Sequence, residues 1–183
     1  MIIETKRLKL RPFEDKDSAP FAAINGNPNT MRYFPAPLSR SQSDYLLERF
    51  EYDRNKNGFS FLATELKATG KLVGFIGIHK IDDTTKAALT GHSVVEIGWR
   101  LSPEIWGQGL APEGANALID YAWSIFNLPN LVAFTTKTNQ PSRRVMEKIG
   151  MIYDPDGDFL HPKLPKTHPL LPHVLYRINN PNL

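Results

Sequence analysis

The spacing at which apolar residues recur changes from strand-like to helical near position 110, and that change limits what the chain can fold into. Between positions 59 and 101 the apolar and β-branched residues fall in short blocks: 59–66, 72–81 and 92–101 read as strands, with a turn around Gly70 and a polar loop over 82–90 between them. Three consecutive strands predict an antiparallel meander. Beyond position 110, Ala115, Leu118, Ile119, Ala122 and Phe126 keep the i, i+3, i+4 spacing of an amphipathic helix, with Pro112 in the first turn, where its missing N–H breaks no bond. A strand at 131–137, a helix at 140–149 stopped by Gly150, and closing strands at 151–153 and 174–178 follow. Upstream, residues 2–13 read as one half-exposed strand. Asp17 or Ser18 caps a helix ended by Gly26, Asn27 and Pro28, and Ser39 or Ser41 caps a second helix ended by Asn57 and Gly58. The expectation is one α+β domain over residues 1–183, a mostly antiparallel sheet of about seven strands flanked by about four helices.

Composition narrows the chemistry. The 183 residues include no cysteine, which excludes disulfides, cysteine-ligated metals and a thiol nucleophile. The formal charge of +3 permits an anionic ligand but is no basic stripe, so nucleic acid is not an expected partner. No run approaches the roughly 18 apolar residues of a membrane span, and the start lacks the apolar block of a secretion signal. A cytoplasmic protein without membrane contact is expected. Pro155, Pro162, Pro165, Pro169, Pro172 and Pro181 predict a loop-rich C-terminal part with only short regular pieces.

Two segments carry candidate chemistry. In the first, a strand ending near Leu101 runs through a loop with Gly107 and Gly109 into the helix after residue 110. Glycines let a ligand approach the backbone, and the free N–H groups of a helix start attract phosphate. No Gly-Lys-Ser/Thr follows, so this is not a nucleotide-triphosphate loop, and the three-glycine dinucleotide spacing is absent. Two such glycines also serve ordinary turns. In the second segment, Asn139 ends a strand and Ser142 opens a helix, placing both polar side chains at the mouth of the sheet, or simply at a turn and a helix start. The histidines at 161, 168 and 173 are too loosely spaced for a metal site, so no metal is expected. His173 is a candidate for lining a substrate site, and His79 faces either core or solvent.

Taken together, the stretches TKRLKLRPF, GKLVGFIGI, EIGWRLSPEIWGQGLAPEG and TNQPSRRVMEKIGM resemble, in order, the GNAT superfamily of acetyl-CoA-dependent N-acetyltransferases, and within it the RimJ/RimL-like branch that acetylates ribosomal-protein N-termini. The resemblance implies the GNAT acyl-CoA N-acyltransferase fold. It implies that Trp106, Gly107, Gln108, Gly109, Leu110 and Ala111 form the loop binding the pyrophosphate of acetyl-CoA, Trp106 replacing the more usual Gln or Arg. Glu96 corresponds to the strand acid that takes the amine proton, Asn139 to the asparagine that contacts the pantetheine arm or orients the acetyl group, and Ser142 to a serine at the departing thiolate. Glu96 is equally open to pairing with Arg100 or Lys80. Many GNAT enzymes carry a tyrosine acid one turn after Ser142, where this chain has Met146. Arg143 and Arg144 are open to CoA phosphates or are plain surface charge.

The implied reaction is acetyl transfer from acetyl-CoA to a primary amine by direct attack in a ternary complex. The acceptor is a protein N-terminal amine or a small amine, and a closed pocket roofed by residues 33–37 would favour the latter. The alternative from another class is a non-catalytic acyl-CoA-binding sensor, suggested by the missing tyrosine. Monomer and homodimer both remain open.

Overall fold

The computed structural model describes residues 1–89 and 94–183. One eight-stranded sheet runs through it in the order β1-β2-β3-β4-β5-β6-β8-β7. These strands are β1 (Ile3–Glu4), β2 (Leu8–Arg11), β3 (Phe61–Leu66), β4 (Lys71–Lys80), β5 (Val95–Leu101), β6 (Asn130–Thr136), β7 (Ile152–Leu160) and β8 (Pro172–Asn179). The helices are α1 (Ser18–Gly26), α2 (Arg40–Asn57), α3 (Asp83–Ala88), α4 (Leu110–Phe126) and α5 (Gln140–Lys148). All neighbouring strands are antiparallel except β5 and β6.

The expected α+β architecture and the β3-β4-β5 meander hold, with an eighth strand and a fifth helix. The single strand expected over 2–13 is two, because the chain doubles back at Thr5–Arg7 and pairs Ile3 with Leu10. The Thr5 hydroxyl accepts the Leu8 N–H at 2.9 Å and holds that turn. The fifth helix, α3, lies where a loop was expected; the Asp82 carboxylate caps it by accepting the Thr85 N–H at 3.1 Å. The C-terminal part is more regular than its prolines suggest. Proline opens β8 and lies within β7, whose ladder to β8 shifts register between Asp154 and Phe159, so the missing N–H groups fall at an end and an irregularity. The beginning of the strand expected from residue 92 lies outside the described residues.

Alternation along the strands assigns the two faces of the sheet. Leu62, Ile76, Ile78, Ile97 and Leu101 turn to the face covered by α4, packing with Leu110, Leu118 and Met146 of α4 and α5. Phe61, Ala63 and Phe75 turn to the opposite face, under α1 and α2, where they join Phe13, Phe21 and Phe50. Fully burying a side chain such as Leu118 is worth about 1.5–3 kcal/mol. Helix α2 begins as expected at Ser39, in a box where Ser39 accepts from Gln42 N–H and Gln42 accepts from Ser39 N–H. Asp17 precedes α1, but its carboxylate is bound to the buried Arg11 guanidinium and makes no cap.

Candidate active site

The one parallel pair in the sheet is also its weakest seam. Strands β5 and β6 pair at a single position, Glu96 opposite Val132, so the ladder lapses towards their carboxyl ends. Beyond those ends lie the two segments singled out in the sequence: the glycine loop after β5 and the turn into α5 after β6. In open sheets with parallel strands, ligands bind in the crevice outside such carboxyl ends.

The glycine loop is a ready anion cradle. A 3-10 turn at Pro103–Ile105 leads into it, and the Trp106 indole N–H donates to the Leu101 carbonyl at 2.8 Å. The Trp106 backbone N–H is taken by Pro103 at 3.2 Å, which leaves this residue its indole face rather than a free amide. Gly107 and Gly109 have φ of 75° and 74°, left-handed values that other residues rarely adopt. Among the described residues no protein acceptor takes the backbone N–H of Gly107, Gln108, Gly109, Leu110 or Ala111, and no side chain caps α4. Five unclaimed amides at the positive end of a 17-residue helix suit a pyrophosphate.

Arg7, from the turn between β1 and β2, braces this loop. Its Nη1 donates to the Gln108 carbonyl at 2.9 Å, while its Nε and backbone N–H donate to the Glu113 carboxylate at 2.7 and 2.8 Å. Fixing the Gln108 carbonyl turns the N–H of the same peptide, that of Gly109, the other way. The sequence reading missed this brace, although Arg7 lies within the TKRLKLRPF stretch.

Glu96 and His79 face each other across β4 and β5, with His79 Nε2 2.8 Å from Glu96 Oε2. Neither Arg100 nor Lys80 is the partner of Glu96. Both side chains are partly buried on the α1/α2 face, and the Phe61 ring lies 4.8 Å from the imidazole. Burial alone would depress the His79 pKa, but the hydrogen bond and attraction of Glu96, with a smaller pull from Asp53, outweigh it and raise the net value. Across the seam stand His161 and His173, rings 4.8 Å apart, beside Phe134 and Phe159. Burial drives His173 down to about 4, so at neutral pH it is an uncharged ring.

Ser142 opens α5, on the α4 side of the sheet, so it and Glu96 can meet only across the seam. Asn139 is the N-cap of α5: its Oδ1 accepts the Ser142 N–H at 3.3 Å and its Nδ2 donates to Thr135 Oγ1 at 2.9 Å. The Ser142 hydroxyl has no partner among the described residues. Met146, one turn after Ser142, is buried in the core. Arg143 donates to the Tyr176 hydroxyl and to the Lys137 carbonyl, and so ties α5 to β8.

Residues 30–38, between α1 and α2, lie over one wall. The Arg32 guanidinium stacks on the Trp106 ring at 4.8 Å, and the Phe34 ring covers the Arg100 guanidinium at 4.2 Å. No group of three or more His, Asp or Glu residues among those described is arranged to hold a metal, and no helix among them is long and apolar enough to cross a membrane.

With this geometry in view, residues 7–152 match the model of the acetyltransferase (GNAT) domain. The chain belongs to the GNAT acetyltransferase family. This GNAT protein is an acetyl-CoA-dependent acyltransferase, and the amide cradle fits that substrate. It is 31% identical over 151 residues to the uncharacterized N-acetyltransferase YnaD of Bacillus subtilis (strain 168), covering 82% of each chain. It is 26% identical over 157 residues to the spermidine N(1)-acetyltransferase of Escherichia coli (strain K12), covering 84% of this GNAT chain and 76% of that one. Its fold superposes on the crystal structure of a GNAT-family acetyltransferase from Bacillus anthracis with a TM-score of 0.79, at 26% identity, covering 98% of this chain and 99% of that one.

Proposed function

We propose that residues 1–183 work as one cytoplasmic N-acetyltransferase domain of the RimJ/RimL-like type, moving the acetyl group of acetyl-CoA directly to a primary amine in a ternary complex. The observation that carries this reading is the partly buried Glu96–His79 pair at the head of the β5–β6 seam, on the face away from the amide cradle. Only a neutral amine has a lone pair to attack a thioester, and amines with a pKa of about 8 or about 10.4 are mostly charged near neutrality. Glu96, directly or through one water, takes that proton, and His79 shares the charge it leaves.

The amine nitrogen then bonds to the thioester carbonyl carbon, the C–S bond breaks with the electron pair leaving on sulfur, and the remaining excess proton on nitrogen passes to that thiolate, giving the amide and the CoA thiol. Ser142 donates a hydrogen bond to that sulfur, while Gly107, Gln108, Gly109, Leu110 and Ala111 hold the pyrophosphate through their N–H groups. Trp106 lines this loop with its ring, and Asn139 contributes chiefly by fixing the turn that presents Ser142. With no cysteine in the chain, no thioester forms on a protein thiol.

The acceptor is a primary amine, either small or a protein N-terminus. The relationship to spermidine N(1)-acetyltransferase supports the former and the RimJ/RimL-like motifs the latter. Incubating the protein with acetyl-CoA and a panel of amines and peptides, with mass detection of products, tests the reading. A mass gain of one acetyl group on an amine is expected; acetyl-CoA binding without turnover on any amine would overturn it in favour of a sensor.

A further inference from the structure

Arg100 is a charge in search of a counter-charge. It lies on the same face of β5 as Glu96, four residues on, which at the rise of a strand is about 13 Å away. Its guanidinium is sandwiched between Phe34 at 4.2 Å and Phe75 at 5.3 Å. One hydrogen bond is made, from Nη1 to Asn25 Oδ1 at 2.8 Å. Nε is buried and has no partner. No carboxylate pairs with it among the described residues, and the other four positions, 90–93, contain no acidic residue.

The surroundings are built to hold this cation in place. Asn25 and Ser43 are both fully buried, and Asn25 Nδ2 donates to Ser43 Oγ at 2.8 Å, which aims the amide oxygen at Arg100. Burial pushes the Arg100 pKa down to about 10, with no carboxylate offsetting it. Desolvating a guanidinium without a counter-ion is unfavourable, and a ligand anion would offset that cost. The residue as a whole is only partly buried, with Phe34 over its guanidinium. Between Arg100 and Glu96 lies the Phe61 ring, packed over Gly98 and 4.8 Å from the His79 ring. The face thus offers a base, an apolar floor and a cation in sequence.

We propose that Arg100 binds a carboxylate of the acceptor, so that the substrate is an amine carrying a carboxylate at the far end of a short apolar or peptide spacer. This rests on the reading of Glu96 as the place where the amine is activated. A polyamine would bring a second positive charge to Arg100 and is disfavoured. The other source of an anion is acetyl-CoA itself, but its cradle opens α4, which packs on the opposite face of the sheet.

The test compares a graded series of ω-amino acids and short peptides with the matching amides and with spermidine, for the native protein and for Arg100→Gln and Arg100→Lys. The native protein should favour acids over amides by about tenfold or more in kcat/KM. Arg100→Gln should bring that ratio near one without changing the KM for acetyl-CoA, and Arg100→Lys, which keeps the charge and serves if the glutamine variant fails to fold, should retain an intermediate ratio. A native ratio near one, a preference for spermidine, a ratio unmoved by Arg100→Gln, or a rise confined to the KM for acetyl-CoA overturns the proposal. Calorimetry of the same ω-amino acids on the CoA-saturated protein separates the two readings. Binding that depends on Arg100 with no turnover upholds the carboxylate site and removes acetyl transfer; turnover without any dependence on Arg100 does the reverse.

Discussion

His79 and Glu96 stand directly opposite each other on neighbouring strands, ring nitrogen to carboxylate oxygen at 2.8 Å, so the proposed base shares its proton with an imidazole. Against the effect of burial, the hydrogen bond and charge of that carboxylate raise the pKa of the imidazole. With His79 charged, Glu96 is tied into an ion pair and is a poor acceptor for an amine proton; with His79 neutral, the pair can take one. The rate should therefore rise with pH through a value above that of an ordinary histidine. Glu96→Gln should lose about 100-fold or more in kcat/KM near neutral pH and flatten that rise. An unchanged pH–rate profile in Glu96→Gln would remove Glu96 as the base.

The same pair leaves a mark on stability. The folded pKa of His79 is raised above the unfolded value of about 6.5, so its contribution is fully present below about pH 6.5 and lost as pH rises through the folded value. The difference in melting temperature between the native protein and His79→Gln should be largest in mild acid and shrink on the alkaline side of neutrality. A difference that grows with pH would contradict the pairing.

Much of the frame is readable in the sequence because it depends on local spacing. The alternation of β3 to β5, the helical spacing of Leu118, Ile119 and Ala122, and the Ser39–Gln42 box all involve residues near one another in the chain. The amide cradle is legible for the same reason, since Gly107, Gly109 and the start of α4 are contiguous. What stayed hidden depends on pairing across distance. His79 meets Glu96 only once β4 and β5 are in register, and Arg7 reaches Gln108 only because β2 and α4 pack together. The two strands in residues 2–13 look like one in the sequence because the two residues of β1 carry too little pattern to show a break. The length of β7 and β8 exceeds what their prolines suggest, because strand pairing tolerates proline at ends and irregularities.

The Arg7 brace should act on acetyl-CoA binding rather than on the chemical step. Its guanidinium holds Glu113 and the Gln108 carbonyl together at the mouth of α4, and Glu113 is held below the usual glutamate range: burial would raise it, but hydrogen bonds from Thr5 and Arg7 outweigh that. Arg7→Met should raise the KM for acetyl-CoA roughly 3- to 10-fold and leave kcat within about twofold, as expected when binding common to ground and transition states is lost. Because the two side chains act as one unit, Arg7→Met with Glu113→Gln should cost less than the sum of the single changes. A fall in kcat with KM unmoved would place Arg7 elsewhere in the mechanism.

Arg11 and Asp17 are buried together, with Nη1 and Nη2 donating to Asp17 Oδ2 and Oδ1 at 2.6 and 2.9 Å and Nε donating to Glu65 at 2.9 Å. Removing the cation strands a carboxylate among buried groups, which typically costs about 3–5 kcal/mol. Arg11→Met should therefore lower the melting temperature by on the order of 10 °C in a domain of this size. Burial would raise the Asp17 pKa, but hydrogen bonds from Arg11 and the Glu14 N–H outweigh it, and the net value lies below the usual aspartate range. The stability this confers is present above the unfolded value of about 3.9 and lost as pH falls through the folded one. The gap between native and Arg11→Met proteins should consequently be widest near neutrality and narrow in strong acid, where Asp17 is protonated in both. Calorimetric melting of the two proteins between neutral and strongly acidic pH checks it, and a gap that stays constant over that range would show that Arg11 stabilises by packing rather than by pairing with Asp17.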